Sequence, residues 1–448
     1  MSYTGTMTFS RRLMLLAAGV LAAIAPSCRV PETRLTQTPA MATIYDPETA
    51  DALAARFPQS PEQQALTKRY KTALANPISV VAWEQTYSQW QVFYATNRVP
   101  QPAAAGGVRF GQEYGQVVSV GTCRVTLPKR ERGTATDPAK SSVKWASWLP
   151  GSKPSAELSS KQNVEAKAEL TTPKGNDEFD ALLRDAVARA PEHDVLVFVH
   201  GFNVGFDESL MRASQVALDM PFNGAVIAYD WPSQGGASLK AYQTDEQVAG
   251  ASIEPFVHFL EGIDRALPPE TKIHVLVHSM GNRVVLNGLG RLPERFRKPA
   301  RFDNLVLAAP DLGVSEFAKL APAVVASARR VTLYACDSDT ALGTSKALHQ
   351  EQRIGDADPP FVVRGVETID ASKIETSFLG HSYYGSNRSA LSDLFSVVKE
   401  DRGAAQRPWL RMQTGATGNW WAIDRQPTEV RCVWHFEDKF GSNGTALR

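Results

Sequence analysis

The chain has 448 residues, 43% of them hydrophobic and 21% charged, with a formal charge of +1. That is the balance of a globular protein with a substantial core, long enough for two domains. It gives no electrostatic case for a nucleic-acid partner, because neutralising phosphates needs a basic surplus that this chain lacks.

The amino terminus is built differently from the rest. Arg11 and Arg12 precede Leu13 to Ala25, an apolar run too short to span a bilayer comfortably and built like a secretory signal. The run ends in Ala25-Pro26-Ser27-Cys28, which resembles the lipobox of bacterial lipoproteins. The resemblance implies cleavage before Cys28 and lipid attachment to it. Residues 1–28 are therefore expected to be a signal peptide, and the protein to be exported to the periplasm or cell envelope and held at a membrane through Cys28. Arg29 to about Pro39 is polar and rich in Pro and Thr, as a tether would be. Asp46 and Pro47 start a helical pattern that runs to Ala75, and Val80 to Trp90 is expected to add another helix, so 29–90 reads as tether and helical region.

From Trp90 the texture changes to strand. Val92, Phe93, Tyr94 and Thr96 favour it, and Val117 to Pro128 is a second strand-like run closed by its Pro. Residues 129–175 are rich in Lys, Ser, Thr and Pro and read as a surface insertion. Asp177 to Ala190 predicts a helix that feeds Val195 to Val199, five apolar residues in a row followed by His200-Gly201. Such a run is a buried parallel strand delivering a tight loop at its carboxyl end, the edge where α/β sheets bind ligands. Asp207 to Met220 predicts a helix, and Gly224 to Asp230 a second buried strand that leaves Trp231 either walling a pocket or packing. Tyr242 to Leu260 predicts one more helix, and the alternation points to a doubly wound parallel sheet.

The stretch from Lys272 to Leu289 carries the chemistry. Ile273 to Val277 suit a buried strand, Val284, Val285 and Leu289 suit one face of a helix, and the switch falls at Ser279. A strand that becomes a helix within a residue or so holds the turning side chain up at the strand's end and needs small neighbours, of which Gly281 is one. Alone, the pattern also fits a Ser that caps a helix. A Ser hydroxyl is a weak nucleophile and needs a base and a carboxylate behind it. His349, His381 and His435 follow Ser279; His349 falls in a helical stretch, His435 in an alternating strand, and His381 in a loop ahead of a helix over Ser389 to Val398. Asp311, Asp337 and Asp339 each sit just past a strand and are the candidate acids.

Val277-His278-Ser279-Met280-Gly281 resembles the G-x-S-x-G nucleophile elbow of the α/β-hydrolase superfamily, with Val277 in place of the first glycine. Phe93 to Arg98, Gly121 to Pro128, Tyr334 to Leu342 and Leu379 to Tyr383 are similar to one bacterial family of that superfamily, described mainly as of unknown function. The resemblance implies an α/β fold: a mostly parallel sheet with helices on both faces, antiparallel front strands and a helical amino-terminal extension. It implies Ser279 as nucleophile, Asp339 as acid, His381 as base, and the amides of Phe202 and Met280 as oxyanion hole. The expected activity is that of a serine hydrolase cleaving a carboxylic ester through an acyl-enzyme, without a cofactor, on a small or lipid-like acyl substrate. Two other readings stand beside it: an envelope scaffold without turnover, which Val277 favours, and acyl transfer to an acceptor other than water. The hydrolase domain is expected over 91–400, and 401–448 as an extension in which Trp420 to Ile423 pairs with Val430 to Phe436. Cys123 and Cys336 read as buried apolar residues, and no Cys/His spacing suits a metal.

Overall fold

The computed structural model describes residues 80–423 except 84–86, 103–107, 129–167, 172–175, 338–339, 373–387 and positions 191, 221, 237, 408 and 417. In chain order the elements begin with β1 (Val80–Trp83), β2 (Tyr87–Pro102), β3 (Val108–Pro128), β4 (Ala168–Thr171) and α1 (Asn176–Arg189). Then come β5 (Asp194–Val199), α2 (Phe206–Asp219), β6 (Ala225–Asp230), α3 (Leu239–Ala251), α4 (Ile253–Ala266), β7 (Lys272–His278) and α5 (Gly281–Arg291). The carboxyl-terminal part adds β8 (Phe302–Ala308), α6 (Val314–Ser327), β9 (Ala328–Ala335), α7 (Thr340–His349), β10 (Val366–Asp370), α8 (Arg388–Val398), β11 (Leu410–Gly415) and β12 (Gly418–Ile423).

Among the described residues these strands form one sheet in the order β11-β12-β10-β9-β8-β7-β5-β6-β2-β3-β4, with β1 paired to β2. The run from β12 to β2 is parallel, while β3, β4 and β11 are antiparallel to their neighbours. This is the α/β-hydrolase type of fold. Its central strands are apolar on both sides because helices cover both faces. Val195, Val197 and Val199 join the core with α1, α4, α5 and α6, whereas Leu196 and Phe198 join the one with α2 and α8. After β5 the chain goes to β6 on one side and then crosses to β7 on the other, so a crevice opens between the carboxyl ends of β5 and β7.

Four local expectations differ from the structure. Val80 to Trp83 is β1 and Tyr87 to Trp90 the start of β2 instead of a helix, with Val80 opposite Trp90 in an antiparallel pair; backbone pairing with a neighbouring strand overrides a weak helical pattern. The helix expected over Tyr242 to Leu260 is two helices broken at Ser252, because Pro255 has no N–H to give the Ala251 carbonyl, which accepts from Gln116 instead. The strand ending at Ile423 is no separate addition: β12 pairs with β11 and, on its other edge, parallel with β10. Within the stretch read as an insertion, Ala168 to Thr171 is a strand at the sheet's edge. The signal segment, Cys28, the tether, the Asp46 to Ala75 helix and Val430 to Phe436 lie outside the described residues.

Candidate active site

Ser279 stands between the last residue of β7 and the first of α5, with a φ of +49°. A residue with a Cβ in that left-handed region costs about 1–2 kcal/mol, so the surroundings must enforce it. They do so through the backbone. The Ser279 N–H donates to the Ala308 carbonyl at 2.9 Å, and the Ser279 carbonyl accepts from the N–H of Asn282 (3.1 Å), the side chain of Asn282 (2.9 Å) and the N–H of Asp311 (3.2 Å). Two glycines leave room for the turn. A Cβ at Gly281 would run into the His200 carbonyl, and one at Gly201 would lie 2.8 Å from His278 Nδ1 and 2.9 Å from Ser279 Cβ. Val277, in contrast, is buried beside Val199 and Leu307 in the sheet. The close approach therefore falls at Gly201 and Gly281, and a β-branched residue fits where the motif usually has its first glycine.

The loop after β5 is fastened from below by a buried ionic node. Thr96 lies in register with Asp230 across β2 and β6, and its hydroxyl donates to the Asp230 carboxylate at 2.7 Å. Arg98 grips the same carboxylate with two N–H groups, at 2.6 and 3.2 Å, and gives its remaining donors to the carbonyls of Gly111, Ser233, Val204 and Trp231. Burial alone would raise the Asp230 carboxyl, but Arg98 and His200 beside it bring it down to about 2. His200 Nε2 lies 3.1 Å from Asp230 and its Nδ1 2.8 Å from the Gly201 carbonyl, while Trp231 stacks on the ring and donates Nε1–H to the His200 carbonyl at 2.8 Å. Trp231 is thus a packing residue of this loop. From α3, Asp245 accepts from the Ser233 hydroxyl (2.5 Å) and the Gln234 N–H (2.6 Å), and Asn203 Oδ1 accepts from the Gly236 N–H (2.6 Å). The loop carrying Phe202 is thereby set against the turn carrying Ser279 and Met280. Neither the Phe202 nor the Met280 amide donates to an acceptor among the described residues.

A second polar node gathers on Asp311, whose N–H donates to the Ser279 carbonyl. Asp311 accepts from the Tyr242 hydroxyl (2.5 Å) on one oxygen and the Ser345 hydroxyl (2.6 Å) on the other, with Arg353 Nε 3.3 Å away. Burial and the Asp311 charge push the Tyr242 phenol far above its ordinary range, so it remains a donor. The Tyr242 ring also meets Phe202 edge to face, which ties this node to the loop after β5. His349 on α7 is committed as well, with Nδ1 2.8 Å from the Ser345 carbonyl and Nε2 2.7 Å from Glu246.

A serine in the left-handed region at a strand-to-helix turn, over the crevice of a doubly wound sheet, restricts the family sharply. Residues 175–397 match the family described as "Alpha/beta hydrolase of unknown function". Over this segment the chain belongs to that family. A solved structure from an analysis of two prolyl endopeptidases is similar at 13% identity and a TM-score of 0.22, covering 64% of this chain. The hydrolase chain spans about a third of that one's length, 35% of it being covered. No curated protein matches.

In this α/β hydrolase, Ser279, Phe202 and Met280 come from the two loops that flank the crevice. Asp339, His381 and the competing His435 lie outside the described residues. Among the described residues no cluster of His, Cys, Asp or Glu is placed to hold a metal ion, and no helix is long and apolar enough to cross a membrane. Sequence reasoning missed the roles of Arg98, Asp230, Asp245 and Tyr242. Asp230 closes the apolar run of β6 and so lies at the edge that carries the site, but nothing in the chain pairs it with Arg98, which lies within β2.

Proposed function

We propose that this α/β hydrolase cleaves a carboxylic ester by nucleophilic catalysis at Ser279. His381 takes the hydroxyl proton as the oxygen attacks the carbonyl, and Asp339 steadies the resulting imidazolium. The amides of Phe202 and Met280 donate to the negative oxygen; His381 then gives its proton to the departing alcohol as the ester C–O bond breaks, takes a proton from the water that attacks the acyl-enzyme, and returns it to Ser279 as the acid leaves. The observation that carries this reading is the left-handed backbone of Ser279 against the Gly201 loop, which keeps a strained serine beside two amides with no acceptor of their own among the described residues. Preorganised amides of that kind stabilise developing charge by about 3–4 kcal/mol per donor.

Chain order and position support the partners. Asp339 directly precedes α7, and His381 precedes α8 by a short segment. The described competitors are already engaged: both oxygens of Asp311 and both ring nitrogens of His349 and of His200 have partners. A purified Ser279→Ala protein should lose hydrolysis of short p-nitrophenyl esters; hydrolysis at the parent rate would remove the proposal. The apolar run ending at Cys28 further supports an exported protein held at a membrane by lipid. A Cys28→Ser variant should then leave the membrane fraction, and unchanged fractionation would contradict the anchor.

A further inference from the structure

His200 sits fully buried at the end of β5, and both of its ring nitrogens face oxygen atoms. One is the Gly201 carbonyl, 2.8 Å from Nδ1, and the other is Asp230 Oδ1, 3.1 Å from Nε2. A peptide carbonyl can only accept, and so can an ionised carboxylate. Asp230 is ionised because Arg98 holds it bidentately and Thr96 donates to it. A singly protonated imidazole would therefore turn a ring lone pair toward an oxygen lone pair in a fully buried site. Only a ring with two N–H groups satisfies both contacts.

The Gly201 carbonyl belongs to the same peptide unit as the Phe202 N–H. In a planar trans peptide the two point in opposite directions. Anchoring that carbonyl on the His200 ring therefore aims the amide away from the ring. A charged donor on the carbonyl also polarises the peptide and makes its N–H a stronger donor.

We propose that His200 is doubly protonated in the resting protein and acts as a positioning residue, holding and polarising the Gly201–Phe202 peptide so that its N–H serves as the oxyanion donor. This rests on the hydrolase reading, in which the Phe202 amide meets the substrate oxygen. The groups facing His200 fit a cation. Arg98 and Thr96 come from β2, Asp230 from β6 with Trp231 stacked just past its end, Asp245 from α3, and His278 from β7 lies across Gly201. Asp207 on α2 lies within the field of Asp230 and Arg98. The charge of Arg98 and that of His200 are thus set against Asp230 and Asp245.

The test is the imidazole nitrogen spectrum of the 15N-labelled full chain at about pH 8, where an ordinary His has lost its second proton. The His200 ring is identified by its loss in His200→Gln or, should that variant not fold, by ring-to-backbone correlation in the parent. Two protonated nitrogens are expected; one protonated and one bare nitrogen would overturn the proposal. Kinetics supply the second arm. His200→Gln should lower kcat on short p-nitrophenyl esters by about 10- to 100-fold, with KM nearly unchanged. A folded variant with parental kcat would overturn the positioning role. A parent protein that takes up no fluorophosphonate would instead remove the hydrolase reading and the oxyanion role with it, and the ring spectrum would still decide the protonation.

Discussion

Gly201 and Ser279 approach so closely that a Cβ on the first would lie 2.9 Å from the Cβ of the second. This contact joins the loop after β5 to the turn after β7 and gives the site its geometry. Gly201→Ala must push the two apart. Such overpacking costs about 1–3 kcal/mol, and under the proposed mechanism the displaced Phe202 amide should lower ester hydrolysis by about 100-fold. Thermal melting and steady-state kinetics on the variant check both effects.

Asp230 links pH to stability. Its folded value of about 2 lies below its unassisted value of 3.8, so its contribution is fully present above about pH 4 and is lost as pH falls toward 2. The contribution is on the order of 2 kcal/mol. Asp230→Asn should cost more, about 3–5 kcal/mol, because Arg98 is left buried without its counter-ion. Urea unfolding of parent and variant at neutral pH measures that cost.

His274 gives a second acid-sensitive contribution, at higher pH. Burial, against the pull of Asp303, holds it down to about 3 from 6.5, and Asn304 contacts its Nδ1 at 3.0 Å. The unfolded chain binds the proton first, so stability is full above about pH 6.5 and falls as pH drops toward 3, by on the order of 5 kcal/mol. In His274→Gln the decline between about pH 6.5 and 4 should flatten.

Two of the candidate acids, Asp311 and Asp339, should behave differently. Asp311 is bonded to Tyr242 and Ser345, so Asp311→Asn should mainly lower the melting temperature while its folded fraction still takes up fluorophosphonate. Asp339→Asn should fold normally and lose kcat by about 10⁴-fold. Melting curves and active-site labelling of the two variants separate the roles.

Much of this was legible in the chain because the central strands are apolar runs bounded by helices with one apolar face. Val195 to Val199 and Ile273 to Val277 announce themselves, and so does the turn at Ser279. What stayed hidden depends on pairing across distance. Val80 to Trp83 is strand only because β2 pairs with it, and Pro255 breaks a helix whose periodicity runs on through it. The ionic node was illegible for the same reason: Arg98 and Asp230 are 132 positions apart and meet only when β2 lies beside β6. Val277 showed the limit of a motif, since the room a glycine would give is provided by Gly201 and Gly281 instead.

The most direct measurement is peptide mapping by mass spectrometry after treating the purified full chain with a fluorophosphonate. An activated serine should form a stoichiometric adduct on Ser279, and Ser279→Ala should form none. An unmodified Ser279 in folded protein, or an adduct on another residue that survives in Ser279→Ala, would contradict the account.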